Sequence, residues 1–308
     1  MANDIKAYIN QRKQELNAVI MAHYYQNPEI QDIADFVGDS LQLAQQASQT
    51  PADVIVSCGV GFMAESAKIL NPDKLVLLPA QAGCPMADMV TPAALRDKKR
   101  QHPGAVVVAY VNTSAAVKAE SDICCTSSNA IPVVNSIPRE KEIIFIPDRN
   151  LGRYVAAQTG REMIFWEGYC PVHDVVSPDS VRRQTELHPQ AQVVVHPECP
   201  PEVIALAHAV RSTAGILQYI KASSAQEFIV GTEEGFLHSL RRSCPDKTFY
   251  LARSNFVCED MKKIGLEELA QSMENLTEQI EIAENVRLKA FRSLQNMLEI
   301  KIDFPAKN

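Results

Sequence analysis

The sequence lacks long apolar runs and basic stretches, and each absence excludes a class of protein. No segment approaches the ~18 consecutive apolar residues that a membrane-spanning helix requires. The 308 residues include 30 basic and 37 acidic side chains, which give a net charge of −7 at pH 7. Nucleic acids and anionic membranes bind basic faces, so we expect neither as the main partner.

The eight cysteines also lack the common local spacings. The sequence contains neither the Cys-x-x-Cys pair of local zinc sites nor the spacing of ferredoxins. Residues 1–17 are charged and amphipathic and lack the apolar core of a secretory signal. We therefore expect free thiols in a reducing compartment rather than a disulfide framework, and a cytoplasmic location.

What the sequence does contain is one unit that occurs three times. The unit has a polar triplet, a hydroxyl residue 17 positions after the first residue of the triplet, and a cysteine 43 to 45 positions after the hydroxyl. A fixed period indicates a repeated structural unit, and three copies pack most simply about a pseudo-threefold axis, where equivalent residues meet. The copies are His23-Tyr24-Tyr25 with Ser40 and Cys84, Tyr110-Val111-Asn112 with Ser127 and Cys170, and His196-Pro197-Glu198 with Thr213 and Cys258.

Each triplet follows a short, continuous apolar run, at residues 18–22, 106–109 and 193–195. Such runs are typical of strands that are buried on both faces of a parallel sheet, and helical stretches alternate with them along the chain. The sequence therefore predicts three similar parallel-sheet α/β domains related by a pseudo-threefold axis. Ligands of such folds lie at the carboxyl ends of strands, so the active site is expected at the junction of the domains.

The predicted domain boundaries follow the period of the repeat. Within them, residues 30–36 carry the apolar spacing of a short helix, and a long helix is predicted after Thr277, with Ile280 on its apolar face. Residues 306–308 are expected to fray. The predicted ranges are 1–86, 87–172 and 173–264 for the three α/β repeats, and 265–308 for C-terminal helices that pack back on the assembly.

One cysteine of each copy is predicted to reach the axis: Cys84, Cys170 and Cys258. Three thiolates suit a [4Fe–4S] cluster in which one iron has no protein ligand. Such an iron is a Lewis acid that can bind a substrate hydroxyl, carboxylate or carbonyl. The remaining cysteines break the repeat and are predicted to be small core residues. They are Cys58, Cys124, Cys125, Cys199 and Cys244.

The polar side chains at three equivalent strand ends indicate a ligand. Each buried polar group without a partner costs roughly 1–3 kcal/mol, so a polar ligand is expected among them. His, Tyr and Glu can exchange protons, and helix N-termini can hold carboxylate or phosphate. The groups are His23, Tyr25, Tyr110, Asn112, His196 and Glu198, with the hydroxyls of Ser40, Ser127 and Thr213.

Three thiolates alone leave other functions open. A zinc-dependent aldolase or deaminase-like enzyme could use the same three thiolates, and an iron–sulfur redox sensor without enzymatic activity is a third hypothesis. Protein isolated without oxygen is expected to be brown if it holds an iron–sulfur cluster and colourless if it holds one zinc ion. The sensor hypothesis predicts that a Tyr25→Phe change leaves any output intact.

Together, the motifs resemble the quinolinate synthase family over nearly the whole chain. The resemblance implies a [4Fe–4S] enzyme of NAD biosynthesis that condenses iminoaspartate with dihydroxyacetone phosphate to give quinolinate, phosphate and two waters. It also implies that L-aspartate oxidase or aspartate dehydrogenase supplies the iminoaspartate. The motifs include Ala22-His23-Tyr24-Tyr25-Gln26, Gly83-Cys84-Pro85-Met86, Tyr169-Cys170-Pro171-Val172-His173 and His196-Pro197-Glu198-Cys199.

The resemblance further implies the cluster ligands and the substrate-site residues, and to these we add our own hypotheses for the catalytic, phosphate-binding and carboxylate-binding roles. The cluster ligands are Cys84, Cys170 and Cys258. The catalytic residues, which move protons, are Tyr25, Tyr110, His196 and Glu198. The substrate-binding residues are His23, Ser40, Tyr110, Asn112, Ser127, His173, His196, Glu198 and Thr213, of which Ser40 and Ser127 hold the phosphate and Asn112 and Thr213 the carboxylates.

Overall fold

The computed structural model describes residues 2–300, whose strands form three separate sheets of four parallel strands. The strands of the first sheet are β1 (Ala18–His23), β2 (Phe36–Gly38), β3 (Val54–Cys58) and β4 (Leu75–Leu77). Those of the second are β5 (Val106–Tyr110), β6 (Ile123–Cys125), β7 (Ile143–Ile146) and β8 (Ile164–Phe165). Those of the third are β9 (Gln192–Val195), β10 (Ala209–Val210), β11 (Glu227–Gly231) and β12 (Thr248–Leu251).

All three sheets have the same strand order, namely β2-β1-β3-β4, β6-β5-β7-β8 and β10-β9-β11-β12. The first strand of each repeat is therefore central, and the second strand lies at an edge. Every pair is parallel. The predicted three similar α/β domains are confirmed.

The central strands are apolar because helices cover both of their faces. Ile20 of β1, Val107 of β5 and Val194 of β9 are fully buried, as are Ile55 of β3 and Ile144 of β7. Along most of their length, these strands have no side chain exposed to solvent. Polar residues can therefore appear only where the strands end.

Helices flank the sheets and connect their strands. They are α1 (Ala2–Glu15), α2 (Pro28–Ile33), α3 (Ser40–Gln49), α4 (Gly61–Leu70), α5 (Pro92–Gln101), α6 (Ala115–Lys118), α7 (Ala130–Ser136), α8 (Arg149–Thr159), α9 (Pro178–Leu187), α10 (Pro201–Ile204), α11 (Thr213–Ala222), α12 (Phe236–Ser243), α13 (Glu259–Lys262), α14 (Leu266–Asn275) and α15 (Glu284–Glu299), with a short 3-10 helix at Ala87–Met89.

The predicted helix over residues 30–36 is wrong at its end. Phe36 begins strand β2, in which it pairs with Met21 of β1. The preceding turn is bound to the sheet, because Ile20 N donates to the Asp35 carboxylate and Asp35 N donates to Ile20 O, both at 2.9 Å. Pairing with β1 thus overrides the helical spacing of the apolar residues.

The long C-terminal helix begins later than predicted. After α14 the chain runs along the exposed edge of β4, where Leu78 N donates to Glu278 O at 3.0 Å and Ile280 N donates to Val76 O at 2.9 Å. Backbone groups that pair with the sheet cannot form helical hydrogen bonds, so α15 starts only at Glu284. From there α15 packs against β6, α4 and α6.

The three sheets lie within the first three predicted ranges, and the boundaries at residues 86, 172 and 264 stay a prediction. The predicted fraying of residues 306–308 concerns residues outside the described part of the chain. Within residues 2–300, no helix combines the length and the apolar character needed to cross a bilayer.

Candidate active site

The carboxyl ends of β1, β5 and β9 open on one cavity with a volume of about 80 Å³. His23 is the last residue of β1, Tyr110 is the last residue of β5, and His196 directly follows β9. Equivalent residues of the three repeats therefore meet, as a pseudo-threefold arrangement requires. All thirteen predicted site residues line the cavity: His23, Tyr25, Ser40, Cys84, Tyr110, Asn112, Ser127, Cys170, His173, His196, Glu198, Thr213 and Cys258.

The imidazoles of His23 and His196 occupy equivalent turns. In each, the backbone N–H of the third triplet residue donates to the histidine Nδ1 atom, at 3.1 Å from Tyr25 and 3.3 Å from Glu198. A neutral ring then carries its proton on Nε2, and Nε2 of His196 lies 3.1 Å from Ser127 Oγ. Burial lowers the pKa of both histidines to about 3, so both rings are neutral.

The carboxylate of Glu198 receives two short hydrogen bonds. Tyr110 OH donates to Oε1 at 2.6 Å, and Nδ1 of His173 lies 2.7 Å from Oε2. Burial opposes the ionisation of Glu198, but the hydrogen bonds from His173 and Tyr110 outweigh burial and lower its pKa. Burial and the charge of Glu198 raise the pKa of Tyr110 well above its usual value. The pair is thus an ionised acceptor beside a protonated donor.

Tyr25 is the second protonated phenol in the cavity. Burial and the charge of Glu198 raise the pKa of Tyr25 well above its usual value. Its OH lies 2.9 Å from Thr213 Oγ1 and 2.5 Å from Thr232 Oγ1. Because Thr232 Oγ1 also lies 2.9 Å from Nε2 of His173, a continuous line of hydrogen-bonding groups joins Tyr25 to Glu198.

The three repeat cysteines occupy equivalent loops, after β4, β8 and β12, the fourth strand of each sheet. Cys84, Cys170 and Cys258 are partly exposed, whereas the other five cysteines are buried, as expected of core residues. Their loops follow edge strands of three sheets whose carboxyl ends face one another. One thiol from each repeat therefore reaches the cavity.

The thiols require a positively charged group to ionise. Burial raises the pKa of Cys84 to about 12 and that of Cys258 to about 11. Burial also raises the pKa of Cys170, and the charge of Glu198 raises it further. Metal ions supply such charge and bind the thiolate form, so the three side chains fit a metal group held by one cysteine from each repeat.

A second, overlapping set of side chains can also ligate metal. The ligand atoms of Cys170, His173 and Glu198 all lie within 4.8 Å of one another, and Nδ1 of His173 lies 3.3 Å from the Cys170 sulfur. Sulfur, imidazole and carboxylate are a donor set that zinc accepts. The cavity thus supports a metal cofactor in either of two arrangements that share Cys170.

The hydroxyl residues lie at the N-terminal ends of helices. Ser40 and Thr213 are the first residues of α3 and α11, and Ser127 lies in the turn before α7. The free backbone N–H groups and the dipole at a helix N-terminus favour anions. Helices from all three repeats therefore begin near one cavity, and at the start of α3 the Asp39 carboxylate already accepts the N–H groups of Leu41 and Gln42.

Ser128, which the repeat did not predict, links the three repeats beside this site. Its Oγ lies 2.7 Å from Asp39 Oδ2 and 2.7 Å from Ser212 Oγ. Asp39 and Ser212 are the N-cap residues of α3 and α11. The helix ends are thus held in register by side chains that belong to different repeats.

Asn112 carries an orphan acceptor, because its Oδ1 atom is buried and has no hydrogen-bond partner. A buried polar atom without a partner costs about 1–3 kcal/mol. Asn112 lines the same cavity as the histidines and the cysteines. Its unpartnered oxygen indicates a ligand that brings a hydrogen-bond donor.

Three further buried polar residues escaped the sequence interpretation: Asp148, Thr232 and Glu233. Asp148 accepts the backbone N–H of Cys170, and Glu233 accepts that of Cys258, both at 3.2 Å. These residues follow β7 and β11, the third strands of their repeats. From the sequence, we looked for polar residues only after the first strand of each repeat. The same search after the third strands would have found these three residues.

Comparison with known proteins identifies the family. Residues 7–299 match the family model described as Quinolinate synthetase A protein. The chain is 52% identical over 301 residues to quinolinate synthase of Desulforudis audaxviator, covering 97% of this chain and 99% of the relative. It is also 52% identical over 295 residues to quinolinate synthase of Methanosarcina barkeri, covering 96% and 97%. The chain therefore belongs to the quinolinate synthetase A family.

Proposed function

We propose that the chain condenses iminoaspartate with dihydroxyacetone phosphate and releases quinolinate, phosphate and two waters. Its family makes it an enzyme of quinolinate synthesis, a step of NAD biosynthesis. One observation carries the proposal: the polar triplets, the hydroxyls and one cysteine of every repeat line a single cavity. That cavity contains proton donors, a proton acceptor, anion-binding helix ends and thiols.

Cys84, Cys170 and Cys258 would hold a [4Fe–4S] cluster. When bound, the cluster supplies a Lewis-acidic iron with an open position that can polarise a substrate oxygen. Three thiols that are partly exposed to the cavity, each from a different repeat, support this assignment. With only three protein ligands, one corner of the cluster would stay available to a substrate.

The polar residues would bind the two substrates by their anionic groups. Ser40, the first residue of α3, and Ser127, in the turn before α7, would hold the phosphate through their hydroxyls, and the dipole of α3 would favour its charge. Asn112 and Thr213 would hold carboxylates through their donors. The orphan Oδ1 of Asn112 would accept a hydrogen bond, either from the N–H group of iminoaspartate or from the O–H group of dihydroxyacetone phosphate.

Protons would move between two phenols and one carboxylate. Condensation, dehydration and ring closure each add or remove protons, which positioned side chains can transfer. Tyr25 and Tyr110, with raised pKa values, would protonate oxygen atoms that leave as water, and ionised Glu198 would accept protons. The line through Thr232 and His173 would return protons from acceptor to donor.

The proposal is tested by reconstituting the protein without oxygen and assaying quinolinate from oxaloacetate, ammonia and dihydroxyacetone phosphate. We expect product only when all three compounds and the reconstituted cluster are present. Cluster-loaded protein that makes no quinolinate from this mixture would overturn the proposed reaction.

A one-ion enzyme is the second candidate, because Cys170, His173 and Glu198 form a ligand set. The two candidates differ in which residues retain the metal. Three-thiolate binding predicts that Glu198→Gln keeps the metal and Cys84→Ser loses it, whereas one-ion binding predicts the reverse. Metal analysis of both variants, and the colour of anaerobic protein, therefore separates the cluster enzyme from a zinc aldolase or deaminase-like enzyme.

We also propose a cytoplasmic location, because thiols that bind iron must remain reduced. L-Aspartate oxidase or aspartate dehydrogenase would supply iminoaspartate from outside this chain. The expectation that neither nucleic acid nor membrane is a partner is consistent with the net charge of −7.

A further inference from the structure

The loop that carries Cys258 packs directly on the turn that carries Tyr25. Asn27 Nδ2 donates to Lys262 O at 3.2 Å and to Ile264 O at 2.9 Å. In the opposite direction, Lys262 Nζ donates to the backbone oxygen of Tyr25 at 2.5 Å. Side chains from both segments therefore bind the backbone of the other, although the segments belong to the first and third repeats.

Glu233 joins this contact to the cysteine itself. Its side chain is 0% exposed, and its Oε1 atom lies 2.9 Å from Lys262 Nζ. The same Oε1 accepts the backbone N–H of Cys258 at 3.2 Å, and Oε2 accepts that of Gly235 at 2.7 Å. Burial raises the pKa of Glu233, and the Lys262 ammonium and the N–H donors oppose that rise.

Gly235 packs closely against the ion pair and against the Tyr25 turn. A Cβ atom at Gly235 would lie 2.6 Å from Lys262 Nζ and 2.7 Å from the Tyr25 carbonyl oxygen. Such distances are far inside van der Waals contact, so only glycine fits at this position. A larger residue at position 235 would therefore displace the ammonium or the Tyr25 carbonyl oxygen from the positions in which they contact each other.

Tyr25 is therefore held both at its hydroxyl and at its backbone carbonyl oxygen. Thr232, the residue before Glu233, contacts the Tyr25 hydroxyl, and the Glu233–Lys262 pair holds the Tyr25 carbonyl. The same pair contacts the backbone of Cys258. If the cysteine loop moved, this pair would move with it and would shift the backbone and the phenol ring of Tyr25.

We propose that Lys262 and Glu233 are positioning residues that couple the Cys258 loop to Tyr25, so that the phenol reaches its working position only when the cysteine loop is in place. The inference rests on the proposed function, since it assigns proton transfer to Tyr25 and metal binding to Cys258. Glu233 lines the edge of the cavity beside Cys258, and Lys262 is not among the lining residues. Both act through the residues they hold.

Lys262→Met is the decisive variant because it removes the ammonium and keeps the three cysteines. We expect iron and sulfide contents to match those of the unchanged protein, kcat to fall roughly 10- to 100-fold, as a misplaced catalytic group can cause, and KM to change little. The matched control is Lys247→Met. Lys247 Nζ also donates to two carbonyl oxygens, those of Ile220 and Ser223, which belong to neither the Tyr25 turn nor the Cys258 loop.

A double-mutant cycle separates positioning from general destabilisation. If Lys262 acts through the Tyr25 hydroxyl, adding Lys262→Met to Tyr25→Phe should lower kcat no further, because no hydroxyl is left to position. Losses that multiply in the double variant would overturn the proposal. So would a Lys262→Met enzyme with unchanged kcat, or an equal loss of kcat in Lys247→Met.

Glu233→Gln supplies a readout that does not depend on turnover. Glutamine has one acceptor oxygen for the N–H groups of Cys258 and Gly235 and no charge for Lys262. We expect lower iron and sulfide contents and faster hydrogen exchange in residues 256–262 of the loaded protein. If unchanged protein makes no quinolinate, the proposed function fails and this measurement still tests the coupling; unaltered metal content and exchange would refute it.

Discussion

At the scale of single residues, two adjacent tyrosines have different surroundings. The hydroxyl of Tyr25 lies between Thr213 and Thr232 inside the cavity, whereas the ring of Tyr24 packs edge-on against Phe236, with centroids 5.4 Å apart. Both residues lie in the turn after β1, which directs their side chains to different surroundings. Of the two, only Tyr25 lines the cavity.

Tyr25→Phe should abolish most turnover without affecting the metal. The change removes the hydroxyl and keeps the ring, so we expect kcat to fall roughly 10²- to 10⁴-fold, the usual effect of losing a general acid or base. Iron and sulfide analysis of the same preparation should give unchanged contents. Tyr24→Phe is the matched control and should retain its kcat; equal losses in the two variants would contradict the assigned role.

Asn112→Ala should weaken substrate binding more than it slows the reaction. We expect KM to rise about tenfold, which corresponds to about 1.4 kcal/mol, with a smaller change in kcat. The melting temperature should not fall, because the Asn112 Oδ1 atom has no partner to lose. Steady-state kinetics and thermal unfolding test both parts. The assignment of Asn112 to substrate binding is wrong if KM stays constant. Asn296→Ala, on the exposed side of α15, is the control for nonspecific effects of an Asn→Ala change.

At the scale of elements, the fourth strand of each sheet is followed by a loop that carries one cysteine. β4, β8 and β12 have the same place in their sheets, so the loops after them have equivalent directions. This equivalence, and not any local spacing, brings one cysteine of each repeat to the cavity. In the proposed three-thiolate site, each loop is required independently of the other two.

Serine at any one of the three positions should abolish the loading of the cluster. A hydroxyl is a poor replacement for a thiolate ligand of iron, so Cys84→Ser, Cys170→Ser and Cys258→Ser are each expected to lose the visible absorption and most of the iron. Cys244→Ser, at the buried C-cap of α12, should keep both. Full iron in any of the first three variants would exclude that cysteine as a ligand.

At the scale of the whole molecule, the cavity is the place where the three repeats meet. Ser128 joins the helix caps Asp39 and Ser212, and Lys262 joins the third repeat to Tyr25 of the first. A metal group held by one cysteine from each repeat would add a further link. A group that binds only the folded junction stabilises the folded state.

Removal of the cluster should therefore lower the melting temperature of the entire protein. We expect a fall of roughly 5 °C or more, since each kcal/mol lost shifts the melting temperature of a large domain by about 2–4 °C. Anaerobic calorimetry before and after treatment with a chelator measures the difference. The Cys84→Ser variant, treated identically, should show no further fall. An unchanged melting temperature in the unmodified chain would argue that the cluster does not join the repeats.

Much of the fold could be predicted because buried parallel strands must be apolar. The runs before His23, Tyr110 and His196 became β1, β5 and β9. Phe36 was predicted wrongly because it pairs with Met21 of another strand, a contact that local helical spacing does not record. The start of α15 was missed for the same reason, since the preceding residues pair with β4.

The sequence by itself determined which residues recur in the three repeats and that they end their strands, because the period and the apolar runs are local properties of the chain. Only the tertiary structure decided which repeats touch and through which atoms. Thr232 contacts Tyr25 from 207 positions away, and Lys262 from 237 positions away. The packing of three domains determines such contacts, and no local pattern of residues specifies that packing.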